Sequence, residues 1–379
     1  MLIKTGFDLT FITEKATPMV IMLSIHPSRI DDIVDGEQIV AEPYVPIHFY
    51  HDSFGNFCGR LTAPAGGVRL WGSALVRDSG LLDAVEPNAI QHPIEELPDE
   101  CLLYLLASRY CETDKLTDVA WSLFRDTPPG WARVQAICTF VHNHLTFGYE
   151  HASPTKSAHD AYLQKKGVCR DFAHLALTLC RCMNIPARYV TGYMGDIGIP
   201  LDGSPMDFSG WFEVYLSGKW HTCDARHNKQ RIGRIMMGTG RDAADVALTT
   251  SFGRMEMSTF RVFTDEVMDA QSCQPEHPQH LVDDLHRAAQ LPAGRREDEN
   301  VVHEANVEQP QLGSRRIERV EKEAYDQWPQ RAAERNVFLI IPDRSAPLRR
   351  SPQILADEVE HPPILDVDPK LVQQQQVLD

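Results

Sequence analysis

The chain is short of positive charge, of long apolar runs and of regularly spaced cysteines, and each shortage removes a class of protein. Lys and Arg total 37 against 53 Asp and Glu, a formal net charge of −16 at pH 7. Nucleic-acid phosphates need clustered positive charge, so DNA and RNA are disfavoured as partners. The run Met19–Ile25 spans only seven residues, against about 20 for a membrane-spanning helix. A secretory signal needs a basic stretch ahead of its apolar run, and Asp8 and Glu14 stand there instead. The expectation is therefore no membrane segment, no signal peptide and a cytoplasmic location. Nine cysteines is an odd number at irregular spacing, which reads as buried thiols with one reactive member rather than as a disulfide framework. His142-Asn143-His144 and His221-Thr222-Cys223 have no second pair at zinc spacing, and Gly233, Gly238 and Gly240 form no nucleotide fingerprint. No metal and no organic cofactor is implied.

What remains is an ordinary globular composition, 43% hydrophobic and 24% charged over 379 residues, enough for two or three domains. Residues 1–92 alternate apolar and polar positions in short runs, such as Thr5–Phe11, Pro18–Ile25, Ile47–Tyr50 and Val68–Leu75. Turn formers at Asp35-Gly36, Phe54-Gly55-Asn56 and Gly66-Gly67 separate them. Period-two patterning of that kind predicts an antiparallel β domain. Residues 93–265 switch to helical spacing. A helix is expected near Leu102–Leu106, another from Trp131 to Leu145 behind Pro128-Pro129-Gly130, and a third from Cys169 to about Met183. Strands are expected at Ala187–Tyr193, Trp211–Leu216 and Lys219–Cys223, the last two joined by a Ser217-Gly218 turn. Residues 266–379 form an acidic, proline-rich tail. The last 109 residues hold 11 of the 25 prolines and only 2 of the 23 glycines, and they end in a glutamine tract. Apart from Val337–Ile341 and a helical stretch near Ile317–Tyr325, this segment lacks the apolar periodicity that would offset its ordering entropy.

Cys169 is the cysteine whose setting suggests chemistry. It follows Gly167-Val168 and opens a helix, where unpaired backbone N–H groups favour a thiolate. Arg170 adds positive charge beside it, and Asp171 opposes that charge if it points inward. Cys180 and Cys182 instead share the packed helix face with Leu175 and Leu179. The string Gly167-Val168-Cys169-Arg170-Asp171-Phe172-Ala173-His174 is followed by Asn184–Tyr193, Trp211-Phe212-Glu213-Val214-Tyr215-Leu216 and Cys223-Asp224-Ala225-Arg226-His227-Asn228.

In that order these strings resemble the bacterial transglutaminase-like superfamily of papain-like cysteine enzymes. The resemblance covers about residues 93–265 and implies an α+β papain-like core behind an N-terminal β domain. It implies Cys169 as nucleophile and Asp224 as the acid that orients a histidine, with Trp211 and Tyr215 on the strand framing the substrate. The thiolate would attack a carboxamide of a glutamine side chain or peptide. The resulting thioester would pass to water or an amine, so the expected partner is a protein or peptide substrate. The family histidine is missing: where a His-Ala-Trp-like triplet is expected, the chain reads Ser209-Gly210-Trp211. Serine cannot accept a proton near pH 7. Three histidines stand near enough in sequence to be weighed as substitutes. His221 faces away from Asp224 on a regular strand, and His174 lies about 140° round the helix from Cys169. His227, in the loop just past Asp224, is the best substitute base. The expectation leans to a cysteine protease, amidase or acyltransferase. The alternative is a catalytically silent module that binds a protein or peptide in the same cleft. The stretch Gly238–Asp245 is expected to buttress the strand bearing Asp224.

Overall fold

The computed structural model describes residues 1–200 and 206–267. Alternation along the N-terminal strands builds two facing sheets. In β7 (Val68–Arg77), Val68, Leu70, Ala74 and Val76 are buried while Arg69, Trp71, Ser73 and Arg77 face water. This strand pairs antiparallel with β1 (Leu2–Ile12), and β3 (Ile33–Gly36) and β4 (Val40–Glu42) add to its other edge. A second sheet contains β2 (Thr17–Ile21), β5 (His48–His51) and β6 (Phe57–Ala63). Phe7, Leu9, Phe11, Met19, Ile21, Leu61 and Leu70 share one apolar core.

The chain returns to both sheets at its far end. β14 (Thr249–Ser251) pairs with β2, and β15 (Glu256–Val267) runs beside β1 from Leu2↔Val267 to Ile12↔Glu256. Residues 249–265, grouped with the core from sequence, thus belong by pairing to the N-terminal sheets. The physical reason is edge protection: without β15, β1 would leave one whole edge of unpaired N–H and C=O groups. Along β15 itself only Val262 and Thr264 are buried.

Among the described residues five α-helices follow the β domain: α1 (Asp99–Leu102), α2 (Thr113–Phe124), α3 (Trp131–His144), α4 (Ala158–Gln164) and α5 (Cys169–Cys182). All 14 residues of α5 are buried, because α2, α3, α4 and a four-stranded sheet pack around it. A helix so enclosed must satisfy its polar side chains internally. Arg181 does so by donating to the carbonyls of Leu106, Ala187 and Arg241, and Thr178 by donating to His174 O at 2.6 Å. The sheet is antiparallel, in the order β12 (Lys219–Cys223), β11 (Ser209–Leu216), β10 (Ala187–Met194), β13 (Arg234–Gly240). Ser217 and Gly218 close the β11–β12 hairpin at φ 49° and 79°. Helix α5 and the three strands thus form where the sequence predicts them.

The Gly238–Asp245 stretch does not buttress the Asp224 strand. β13 lies at the opposite edge of the sheet from β12, and the turn after it braces the helical side. Asp242 accepts the Tyr110 N–H at 2.8 Å, and the Ala243 N–H donates to His174 Nε2 at 3.1 Å. Among the described residues no helix is long and apolar enough to cross a membrane. The tail features at Ile317–Tyr325 and Val337–Ile341 lie outside the described residues, as does Cys273.

Candidate active site

Cys169 occupies the first turn of α5, 5% exposed. A two-residue parallel bridge between β8 (Thr146–Phe147) and β9 (Lys166–Gly167) leads straight into it. Asp171 does not point at the thiol as a free charge. Its carboxylate accepts the Val168 N–H at 3.0 Å and pairs with Arg170 at 3.3 Å and Lys156 at 3.8 Å. Gly167 is needed here, since a Cβ would meet that carboxylate at 2.6 Å. Burial pushes the Cys169 thiol up to about 11. The charge of Arg226 and a hydrogen bond from the Gly210 backbone pull it down, and Asp207 and Asp171 push it up. Gly210 can approach so closely because it has no side chain: a Cβ would collide with the Tyr189 hydroxyl.

Asp224 closes its own loop. Its Oδ1 accepts the His227 N–H at 3.0 Å and its main-chain carbonyl accepts the Asn228 N–H at 2.8 Å. This is the local side-chain-to-backbone capture that Asp favours in turns. The fold-back brings His227 Nδ1 to 2.9 Å from Asp224 Oδ2. The same oxygen receives Arg234 Nη2 at 2.9 Å. Burial opposes ionisation of Asp224, but the His227 hydrogen bonds and the Arg234 charge overcome it and hold the carboxyl well below the usual range. An ionised carboxylate is acceptor-only. His227 must therefore carry its hydrogen on Nδ1, which leaves Nε2 as the proton-accepting nitrogen of the neutral ring.

Arg234 is anchored from the β domain. Its Nε donates to Asp83 Oδ2 at 2.9 Å; the Asp83 N–H donates to the Arg231 carbonyl, and the Asp83 carboxylate accepts the Arg231 N–H, each at 2.9 Å. The loop from Asp224 to Arg234 is thus clamped at its end by residue 83. At its start, His142 Nδ1 donates to the Arg226 carbonyl at 2.8 Å. Neither Asp83 nor Arg234 carries a sequence signal for this contact, because they meet across 151 residues.

One cavity of about 300 Å³ joins the parts. Cys169, Ser209, Arg226, His227 and Arg231 line it with Phe147. Ser209 is 6% exposed, and its Oγ makes no hydrogen bond among the described residues. The structure thus brings Cys169, Ser209 and His227 to one cavity, with Asp224 behind His227. It separates the others. His174 is fully buried between Tyr110 and Tyr189, and burial lowers its basicity well below normal. His221 lies on the helix side of β12, with Nε2 donating to Leu216 O at 3.1 Å. Trp211 is buried under Arg234, whose guanidinium carbon is 5.1 Å from its ring centre, and it lines a different cavity beside Asp83. Tyr215 sits six residues along β11 from Ser209, about 20 Å away at strand rise. It packs on Trp220 and His92 and does not border the Cys169 cavity.

Among the described residues no group of three or more His, Cys, Asp or Glu side chains is arranged to hold a metal. The arrangement orients an imidazole on the cavity that the Cys169 thiol lines and leaves room there for a small acyl group.

Residues 119–225 match the family model of the transglutaminase-like superfamily. A candidate cysteine protease from Cytophaga hutchinsonii superposes with a TM-score of 0.60 at 28% identity, covering 71% of this chain and 91% of that one. An uncharacterized protein of Mycobacterium leprae is 38% identical over 96 residues, 23% of this chain. The match spans about a third (32%) of that relative's length. The periplasmic domain of TgpA from Pseudomonas aeruginosa, bound to ethylmercury, is similar over 57% of this chain and 91% of its own, at 12% identity and a TM-score of 0.31.

Proposed function

From the premise that this chain carries a transglutaminase-like core, we propose that it is a cysteine-dependent amidase, peptidase or acyltransferase. Cys169 is the nucleophile, His227 takes the role of the family histidine replaced by Ser209, and Asp224 orients His227. His227 Nε2 accepts the Cys169 proton, and the thiolate attacks the carbonyl carbon of a carboxamide. The leaving amine takes the proton back from His227, and the thioester is released to water or to a second amine. The observation that carries this function is the 2.9 Å His227–Asp224 hydrogen bond beside the cavity that Cys169 lines.

The test is turnover of glutamine-containing peptides, read as ammonia release and as incorporation of a fluorescent amine. Activity should vanish in Cys169→Ala and fall by about a hundredfold or more in His227→Ala. Equal turnover in wild type and Cys169→Ala would overturn the enzyme.

A second function is favoured by a different observation. The Cys169 thiol is pushed up to about 11 by burial, and Ser209 supplies no base. These features suit a silent module that holds a peptide in the cleft. It predicts iodoacetamide labelling of Cys169 that rises only above about pH 8 and does not change in His227→Ala.

A further inference from the structure

Arg226 is a cation beside the candidate nucleophile without an acidic counter-ion among the described residues. Its guanidinium carbon lies 3.7 Å from the centre of the Phe147 ring, and both side chains line the cavity of Cys169. Its backbone is held by His142 at 2.8 Å, so the base of the side chain is fixed. The neighbouring arginines are already engaged. Arg231 donates to Gly195 O at 2.8 Å and stands 3.6 Å from Asp196, and Arg234 bridges Asp83 and Asp224. The acids bordering the cavity are Asp196, which faces Arg231, and Asp207, which has an interaction of its own. Stacking on an aromatic face uses the flat of a guanidinium and leaves its in-plane N–H donors for a planar acceptor. A carboxylate is the group that matches that fork.

We propose that the amide taken by this cavity carries a carboxylate near its carbonyl, and that Arg226 binds that carboxylate. The substrate class is then an anionic acyl donor, such as an amide of a dicarboxylic acid or a peptide with a carboxylate flanking the scissile amide. This inference rests on Cys169 being the nucleophile. A volume of about 300 Å³ has room for a residue-sized acyl group.

The experiment compares two alkylating reagents of nearly equal size, anionic iodoacetate and neutral iodoacetamide. In each, a sulfur–carbon bond forms at Cys169 and iodide leaves. Rates at Cys169 are read by peptide mass spectrometry on the full chain, with mercaptoethanol as the reference thiol. The iodoacetate-to-iodoacetamide ratio should exceed that of mercaptoethanol and drop about fivefold in Arg226→Gln, the scale of one partly exposed charge pair. Arg226→Lys should keep most of the ratio. In wild type, added salt should slow iodoacetate but not iodoacetamide, which tests the charge without any variant. An unchanged ratio in Arg226→Gln with Cys169 still labelling, or no salt effect, would overturn the carboxylate site alone. Failure of both reagents to label Cys169 would overturn the nucleophile and this site with it.

Discussion

Arg234 Nη2 lies 2.9 Å from Asp224 Oδ2, with the two side chains only 7% and 5% exposed. The pair sits between the β domain, which anchors Arg234 through Asp83, and the loop that carries His227. Breaking a buried pair from one side leaves the other charge uncompensated, at a cost of about 3 kcal/mol. Arg234→Gln should lower stability by that amount in urea unfolding, while Arg234→Gln combined with Asp224→Asn should cost less than the sum of the two single changes. Additive losses would mean that the two side chains are not coupled.

The same carboxylate sets an acid limit. The Asp224 carboxyl is held below its value in the unfolded chain, about 3.9, so the unfolded state takes up this proton first as pH falls. Stability from the group is fully present above about pH 5 and is lost as pH drops toward 2. Asp224→Asn should therefore be clearly less stable than wild type at pH 7, and the gap should narrow steadily as pH falls below about 4 while still being partly open at about pH 3. Parallel stability curves over that range would show that the carboxyl is not held ionised.

Much of this organisation is legible from local pattern. Cys169–Cys182 and the strands after it announce themselves through Gly167-Val168, Asn184-Ile185-Pro186 and Ser217-Gly218, all signals within a few residues of the element they bound. The Asp224–His227 contact is legible for the same reason, since it spans three residues and uses a turn that Asp forms by itself. What local pattern does not carry is closure over distance. Arg234 meets Asp83 across 151 residues, and β15 meets β1 across more than 240. Nothing in either segment alone encodes its partner. Tyr215 shows the converse error: a residue on the right strand sits too far along it to reach the site.

Ser209 provides a rescue. It lines the cavity of Cys169, so Ser209→His puts an imidazole where the resemblance expects one. In His227→Ala, which should lose thiolate below pH 8, adding Ser209→His should restore iodoacetamide labelling of Cys169 at pH 7 by roughly tenfold. That is the change in thiolate fraction for one unit of thiol pKa. In the wild-type background the same substitution should add much less if, as proposed, His227 fills the role. A large gain in wild type and none in His227→Ala would reverse the assignment of the base.

The buried thiols supply a contrast that tests Cys169. All eight described cysteines are free and buried, yet their surroundings differ. Burial raises all three thiols, Cys169 to about 11, Cys111 to about 12 and Cys180 well above a normal thiol, so the difference lies in place: Cys111 and Cys180 belong to the apolar core around α5, and Cys169 lines the cavity. Native iodoacetamide labelling should therefore reach Cys169 first, and reach Cys111 and Cys180 only on unfolding. Cys180→Ala should cost about 1–2 kcal/mol through the small cavity it leaves and leave the Cys169 labelling rate unchanged. If Cys180 labels as fast as Cys169 in the folded protein, access rather than activation governs both thiols, and Cys169 loses its claim to be the nucleophile.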